Sequence, residues 1–247
     1  VVQNEKRQDD NAPCGLADYA ILEGLFPAGH PYRHDTIGSM ADLNAASVAD
    51  VHAWFKANYG PNNAVLVLSG DIDVATAKPL VAKYFGDIPS GPTPARFEAP
   101  VPRPTGIKRE TMYDAVGNAR INRAFAVPGR ADAVTPLLDV AATIIAGGSS
   151  SRAYNELVRR DQLAVGVSGG VQAFEKVSLL EFQIDVKPGA DPATVAARFD
   201  AVLNEFLKTG PTADEVQRVA TRAVAGTVRS LEAASGQAAA LAEGELY

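Results

Sequence analysis

Three histidines, one cysteine, a glycine-serine turn and a scatter of carboxylates are the groups on which this sequence could build chemistry. His30 and His34 stand four residues apart, the spacing at which two imidazoles on one helical face grip zinc. Pro31 breaks helical geometry between them and no Glu lies there to act as general base, so both read as structural loop histidines. His52, alone on an expected helix, reads as packed or hydrogen-bonded. Gly147-Gly148-Ser149-Ser150-Ser151 could cradle a phosphate, but no Lys follows and no strong parallel strand leads in. A serine capping the next helix is the simpler account. Cys14, the sole thiol, can form neither an internal disulfide nor a thiolate metal site. Glu5 sits on an expected helix among Asn4, Lys6 and Arg7, where a solvated surface carboxylate is the default.

The elements that must position these groups fall on either side of a proline segment. Six prolines between Pro89 and Pro104 forbid helix and disfavour any central strand, so residues 89–106 read as a stiff linker. Before it, helical spacing predicts the end of a helix over 1–8, a helix over 14–26, a helix capped by Ser47, and a helix over 74–85. The β-branched run Asn63 to Ser69 predicts a buried strand. After the linker, strands are expected over 107–113 and 120–127 as a pair, and over 164–173 and 178–186 as antiparallel neighbours, the last with Leu180, Phe182, Ile184 and Val186 on one face. Helices are expected over 137–146, 152–160 and 192–208, and from Thr212 onward behind the capping box Thr212-Ala-Asp-Glu215.

Composition narrows the function classes. The chain has 247 residues, 47% hydrophobic and 21% charged, with a net charge of -6, which describes a folded, water-soluble chain rather than a disordered one. An acidic balance without a basic run argues against a nucleic-acid partner, because phosphate binding needs clustered Lys and Arg. Apolar runs such as Ala64 to Leu68 are too short to span a bilayer. The first residue is Val1, with no leader pattern, and no stop signal precedes Tyr247; the expectation is part of a longer protein. The acidic, cysteine-poor composition suits a bacterial periplasm or cytoplasm, with the periplasm favoured.

Longer strings carry more specific information. His30-Pro31-Tyr32-Arg33-His34-Asp35-Thr36-Ile37-Gly38, Asp42-Leu43, Ser47, Val51, Trp54-Phe55, Tyr59-Gly60-Pro61-Asn62-Asn63-Ala64 and Gly70-Asp71 closely resemble the pitrilysin/insulinase-type zinc peptidase family, in its mitochondrial-processing-peptidase-like branch. Gly147 to Leu157 and Asp161-Gln162-Leu163-Ala164 resemble the paired segment of that family's second, non-catalytic domain. The resemblance covers nearly the whole chain. It implies an α+β fold of two related domains, each layering helices on a mixed, mostly antiparallel sheet. Residues 1–88 would be the C-terminal part of the zinc-binding domain, 89–106 the linker, and 107–247 the second, non-catalytic domain, C-terminally incomplete.

In this family zinc is held by two histidines of an inverted His-x-x-Glu-His motif and by a downstream Glu in a Val-x-x-Glu type of segment. Val1-Val2-Gln3-Asn4-Glu5 matches that last segment, so the resemblance implies Glu5 as the third zinc ligand. The inverted motif is absent from these residues, so no catalytic residue is expected within the chain and the chain alone is expected to be inactive. The family's substrate-gripping Arg and Tyr fall, by the Gln162-Leu163 alignment, on Val158 and Val165, with Arg159 one residue off. The implied role is the zinc-side half of a Zn2+-dependent metalloendopeptidase. It would cut peptides or unfolded proteins in a chamber shared with a homologous second half, fused or separate. The alternative is a non-catalytic peptide-binding or assembly partner of the same fold.

Overall fold

The computed structural model describes all residues from Val1 to Tyr247. Its contacts form two units, Val1–Met40 with Glu98–Ala220, and Ala41–Phe97 with Thr221–Tyr247. Each unit is assembled from two separate stretches, whereas the sequence reading cuts the chain once, at 89–106. Residues 89–106 carry neither helix nor strand. Part of that segment is tied down, because Ala99 is buried and the Pro100 carbonyl meets His30 Nε2 at 3.0 Å.

The first unit is built on three strands, β1 (Arg120–Pro128), β2 (Ala164–Gln172) and β3 (Val177–Val186), in the order β1-β3-β2. Both pairings are antiparallel, with Phe182 opposite Arg123 on one side and Gly169 on the other. This three-stranded sheet is antiparallel throughout, in keeping with the expected α+β fold. Alternation along β3 sorts its side chains: Phe182, Ile184 and Val186 join the main core, while Glu181, Gln183 and Asp185, which alternate with them, stay partly exposed. Helices α6 (Val134–Ala146) and α7 (Pro192–Thr209) supply the other half of that core. Val195, Phe199, Val202 and Phe206 are all buried, a 3.6-residue stripe, and Phe199 packs on Phe182 with ring centroids 5.4 Å apart. Asp191 caps α7 by accepting from Ala193 and Thr194 N–H groups. Gly169 is required where it stands, since a Cβ there would lie 2.5 Å from the Phe182 ring and 2.9 Å from Ala146.

The expected helix at 152–160 is a π-helix over Tyr154–Arg160, gripped by Arg198, whose guanidinium bonds Glu156 and lies 2.6 Å from Asp161. Arg152, just before it, reaches the start of α8 (Ala213–Leu231), bonding both Glu215 oxygens at 2.7 Å. Helices α1 (Val2–Asp10) and α2 (Ala17–Leu25) complete this unit. A second small cluster joins Phe26, Ala99, Val177 and Leu179.

The second unit holds most of α3 (Met40–Ala45), with α4 (Val48–Asn58), α5 (Val74–Phe85), the later part of α8, and α9 (Ala234–Leu246). Ser47 and Asp50 form a reciprocal capping box on α4, and Asp73 caps α5 through Thr76 N–H at 2.7 Å. The helix expected from Thr212 onward breaks into α8 and α9 near Ala233. No helix is long and apolar enough to cross a membrane.

Two expected strands are absent. Asn63 ends a short 3-10 turn (Pro61–Asn63) and 64–69 carry neither helix nor strand, and 107–113 are likewise outside any ladder. β1 pairs with β3 instead of 107–113. Apolar periodicity marks a segment that would suit a sheet, but a strand exists only where another backbone offers the complementary hydrogen bonds.

Candidate functional site

Glu5 lies in the first turn of α1 with an exposed side chain. The residue after it is held tightly. Lys6 is buried, with Nζ 2.8 Å from the Tyr19 hydroxyl, 3.3 Å from Asp10 Oδ1 and 4.2 Å from the Tyr19 ring centroid. The Tyr19 hydroxyl donates to the same Asp10 oxygen at 2.9 Å. The Tyr19 contact, reinforced by Asp10, holds the Lys6 ammonium above its ordinary pKa although burial pulls the other way. α1 is therefore pinned to α2 through Lys6, with Glu5 beside the pin and facing out.

The histidines do not join Glu5. His30 is buried, stacked on Phe26 at 4.6 Å, with Nδ1 accepting from Tyr32 N–H and Nε2 on the Pro100 carbonyl. His34 is exposed with its Nδ1 2.8 Å from the Asp35 carbonyl, and His52 is exposed on α4. No three His, Cys, Asp or Glu side chains converge where they could hold a metal ion. A zinc centre needs at least three protein donors, so the residues of this chain do not by themselves fit one; Glu5 is a single donor.

At the alignment positions of the substrate-gripping pair, Val158 packs against the main core and Val165 is half exposed on β2. Arg159 is exposed, donating to Asn155 Oδ1 at 3.0 Å and lying over the Tyr154 ring. None of the three forms an Arg-Tyr pair. Ser151 is buried and accepts from Tyr154 N–H at 3.3 Å, so the glycine-serine turn caps a helix. Gly166-Val167-Ser168-Gly169-Gly170 has the letters of a nucleophile elbow, yet it runs straight along β2 with Ser168 opposite Gln183. An elbow needs a sharp strand-to-helix turn, which is missing.

A concave surface of this unit lies elsewhere, on the polar face of the sheet. A cavity of about 400 Å3 is lined by Asn122 of β1, Glu181 and Gln183 of β3, Ser168 to Gln172 of β2, Asp18 and Ile21 of α2, and Asp139 of α6. Register explains the grouping, since Asn122 and Ser168 both lie opposite Gln183, while Ala124 and Gly170 flank Glu181. Small residues beside Glu181 keep the floor open. Burial pushes the Glu181 carboxyl above the usual carboxylate range, and the Asp18 carboxylate adds to the rise. Asp139 accepts from Val171 N–H at 3.1 Å, covering one amide of β2. Amides, a hydroxyl, carboxylates and the Arg123 guanidinium here offer a surface for a polar chain, with no nucleophile-base pair among them. Sequence reasoning missed this groove because its residues come from three strands and two helices; the polar positions alternating with the core face of β3 were the available signal.

Comparison with known proteins agrees with the sequence resemblance. Residues 45–222 match the family model of the Peptidase M16 inactive domain. The zinc protease PqqE of Helicobacter pylori is 24% identical over 250 residues, covering 98% of this chain and 55% of the relative. The uncharacterized zinc protease Rv2782c of Mycobacterium tuberculosis is 26% identical over 250 residues, covering 100% of this chain and 56% of its own length. The chain thus spans about half the length of these curated relatives. Among solved structures, a protease from Helicobacter pylori superposes with a TM-score of 0.87 at 23% identity, covering 98% of this chain and 59% of that one. The peptidase M16 inactive domain from Pseudomonas fluorescens gives 0.75 at 22% identity, over 91% of this chain and 55% of that one. The structural likeness establishes the α+β fold, and the match over 45–222 establishes that this chain belongs to the peptidase M16 family.

Proposed function

We propose that this chain is part of a zinc-dependent metalloendopeptidase that cleaves peptides or unfolded proteins, with Glu5 as one metal ligand and the remaining ligands and the general base supplied by polypeptide outside residues 1–247. The observation that carries this reading is that curated relatives named zinc proteases match essentially the whole chain. Glu5 supports it locally. Its carboxylate is exposed on a helix that the Lys6–Asp10–Tyr19 contacts hold in place, which is what a ligand contributed to a composite site requires. The polar groove around Glu181 then belongs to the substrate side, where backbone amides and basic side chains of an extended peptide find acceptors. A homologous second half, fused or separate, would close the chamber.

The match to an inactive domain favours a second reading, a non-catalytic partner that binds peptides without cutting them. One comparison separates the two. In the intact parent with its partner half, the first reading expects about one zinc per zinc-side half and peptide cleavage, and Glu5→Gln removes both. Absence of zinc and of cleavage in the unsubstituted protein would refute it and leave the binding partner.

A further inference from the structure

Helix α2 borders the groove with one end fixed. Phe26, the residue after it, is buried, stacked on His30 at 4.6 Å and packed with Ala99, Val177 and Leu179. Leu22 and Leu25 lie against the same cluster. The first turns of α2 carry Asp18 and Ile21, three residues apart and so on one face, and both line the groove. Tyr19 between them accepts from Lys6 and donates to Asp10, which ties α1 to α2.

Across the groove, register places Glu181 on the floor between Ala124 of β1 and Gly170 of β2. Four charged side chains line this cavity, and two of them are already committed. Arg123 forks onto Asp200 of α7 with both contacts at 3.1 Å, and Asp139 of α6 accepts from Val171 N–H. Asp18 and Glu181 remain as a like-charge pair, one on the helix and one on the floor.

The pair is unequal. Asp18 sits in the first turn of α2, where open backbone N–H groups and the helix dipole favour its charge. Glu181, in the middle of a strand, has no such support, and burial together with the Asp18 charge raises its pKa above the ordinary 4.5. The first proton therefore goes to Glu181. Its carboxyl can then donate to the Asp18 carboxylate, so one proton turns repulsion into a hydrogen bond.

We propose that α2 is a proton-operated gate on the groove, pivoting at Phe26, held off the floor while Asp18 and Glu181 are both charged and drawn down when Glu181 takes a proton, with Ile21 closing toward Ala124 and Gly170. What the gate regulates is access to the groove. It goes beyond the peptidase reading and holds whether the parent cuts peptides or only binds them. Because the Glu181 pKa is raised in the folded protein, closure is favoured at low pH and is lost as pH rises through that raised value.

The intact parent, freed of other cysteines, tests it with spin labels at Leu16, beside the start of α2, and Val165 on β2, both exposed positions. The label separation is expected to shorten from about pH 7 to pH 4.5. Over the same range the protection of the Ile21 to Leu25 amides against hydrogen exchange, corrected for the free-peptide rate at each pH, is expected to rise about fivefold, the size of one like-charge contact in water. Glu181→Gln, a neutral side chain that still donates, is expected to give the short separation at both pH values. Asp18→Asn, at an exposed helix position, is expected to abolish the pH dependence and gives an independent reading if the first variant does not fold. A separation that does not change with pH in the unsubstituted protein overturns the proposal. So does a change that persists in Glu181→Gln or Asp18→Asn, because another group would then be titrating.

Discussion

The Arg152–Glu215 pair gives a prediction whose size follows from the structure. Arg152 bonds both carboxylate oxygens at 2.7 Å, a fork-to-fork geometry, and also donates to the Gly210 carbonyl at 2.9 Å. The two side chains are 21% and 15% exposed. Arg152, aided by the Thr212 N–H, holds Glu215 down at about 2, from an ordinary 4.5. That difference corresponds to a ceiling of roughly 3.4 kcal/mol of folding stability at pH 7. Because the folded pKa is depressed, the contribution is complete well above 4.5 and fades as pH falls through about 2, leaving about 1.4 kcal/mol at pH 3. Partial solvent access lowers the figure, so Glu215→Gln should destabilise the first unit by about 2–3 kcal/mol at pH 7. The sole tryptophan, Trp54, lies in the other unit, so the assay is native-state hydrogen exchange at β3 amides, wild type against variant at each pH. A gap below about 0.5 kcal/mol at pH 7 would refute the reasoning, as would a gap that stays constant down to pH 3.

Two neighbouring glycines of β2 should respond oppositely. Gly169→Ala drives a methyl into Phe182 and Ala146 and should cost about 1–3 kcal/mol, read as a lower unfolding midpoint. Gly170→Ala meets only Asp139 Oδ1 at 3.8 Å and should leave stability nearly unchanged while raising the floor of the groove beside Glu181, so a loss of peptide affinity without loss of stability is expected. Phe199→Ala removes a fully buried ring from the centre of the main core and should cost about 3–5 kcal/mol by urea denaturation; a cost under about 1 kcal/mol would mean the core is not organised around that ring.

Much of the helical framework was legible because its causes are local. The α5 span, the Ser47 and Thr212 caps and the α7 stripe depend on residues within a few positions of one another, and so did the alternation that placed β2 beside β3. The site was legible only through resemblance. Glu5 has nothing in its spacing that distinguishes it from a surface glutamate, and its proposed role rests on a string of residues similar to a zinc peptidase segment.

The sequence by itself determined most of the helices, the core stripe of α7 and the family. The tertiary structure alone decided which extended segments are strands, since 120–128 finds a ladder partner in β3 and 107–113 does not. It decided that Gly169 must lack a side chain, that Arg152 meets a carboxylate 63 residues away, and that Asn122, Ser168 and Gln183 line one groove. The physical reason is the range of the forces concerned. Caps and amphipathic faces are set by backbone hydrogen bonds and side-chain periods within one or two turns, whereas ladders, ion pairs and cavities exist only between segments that folding brings together.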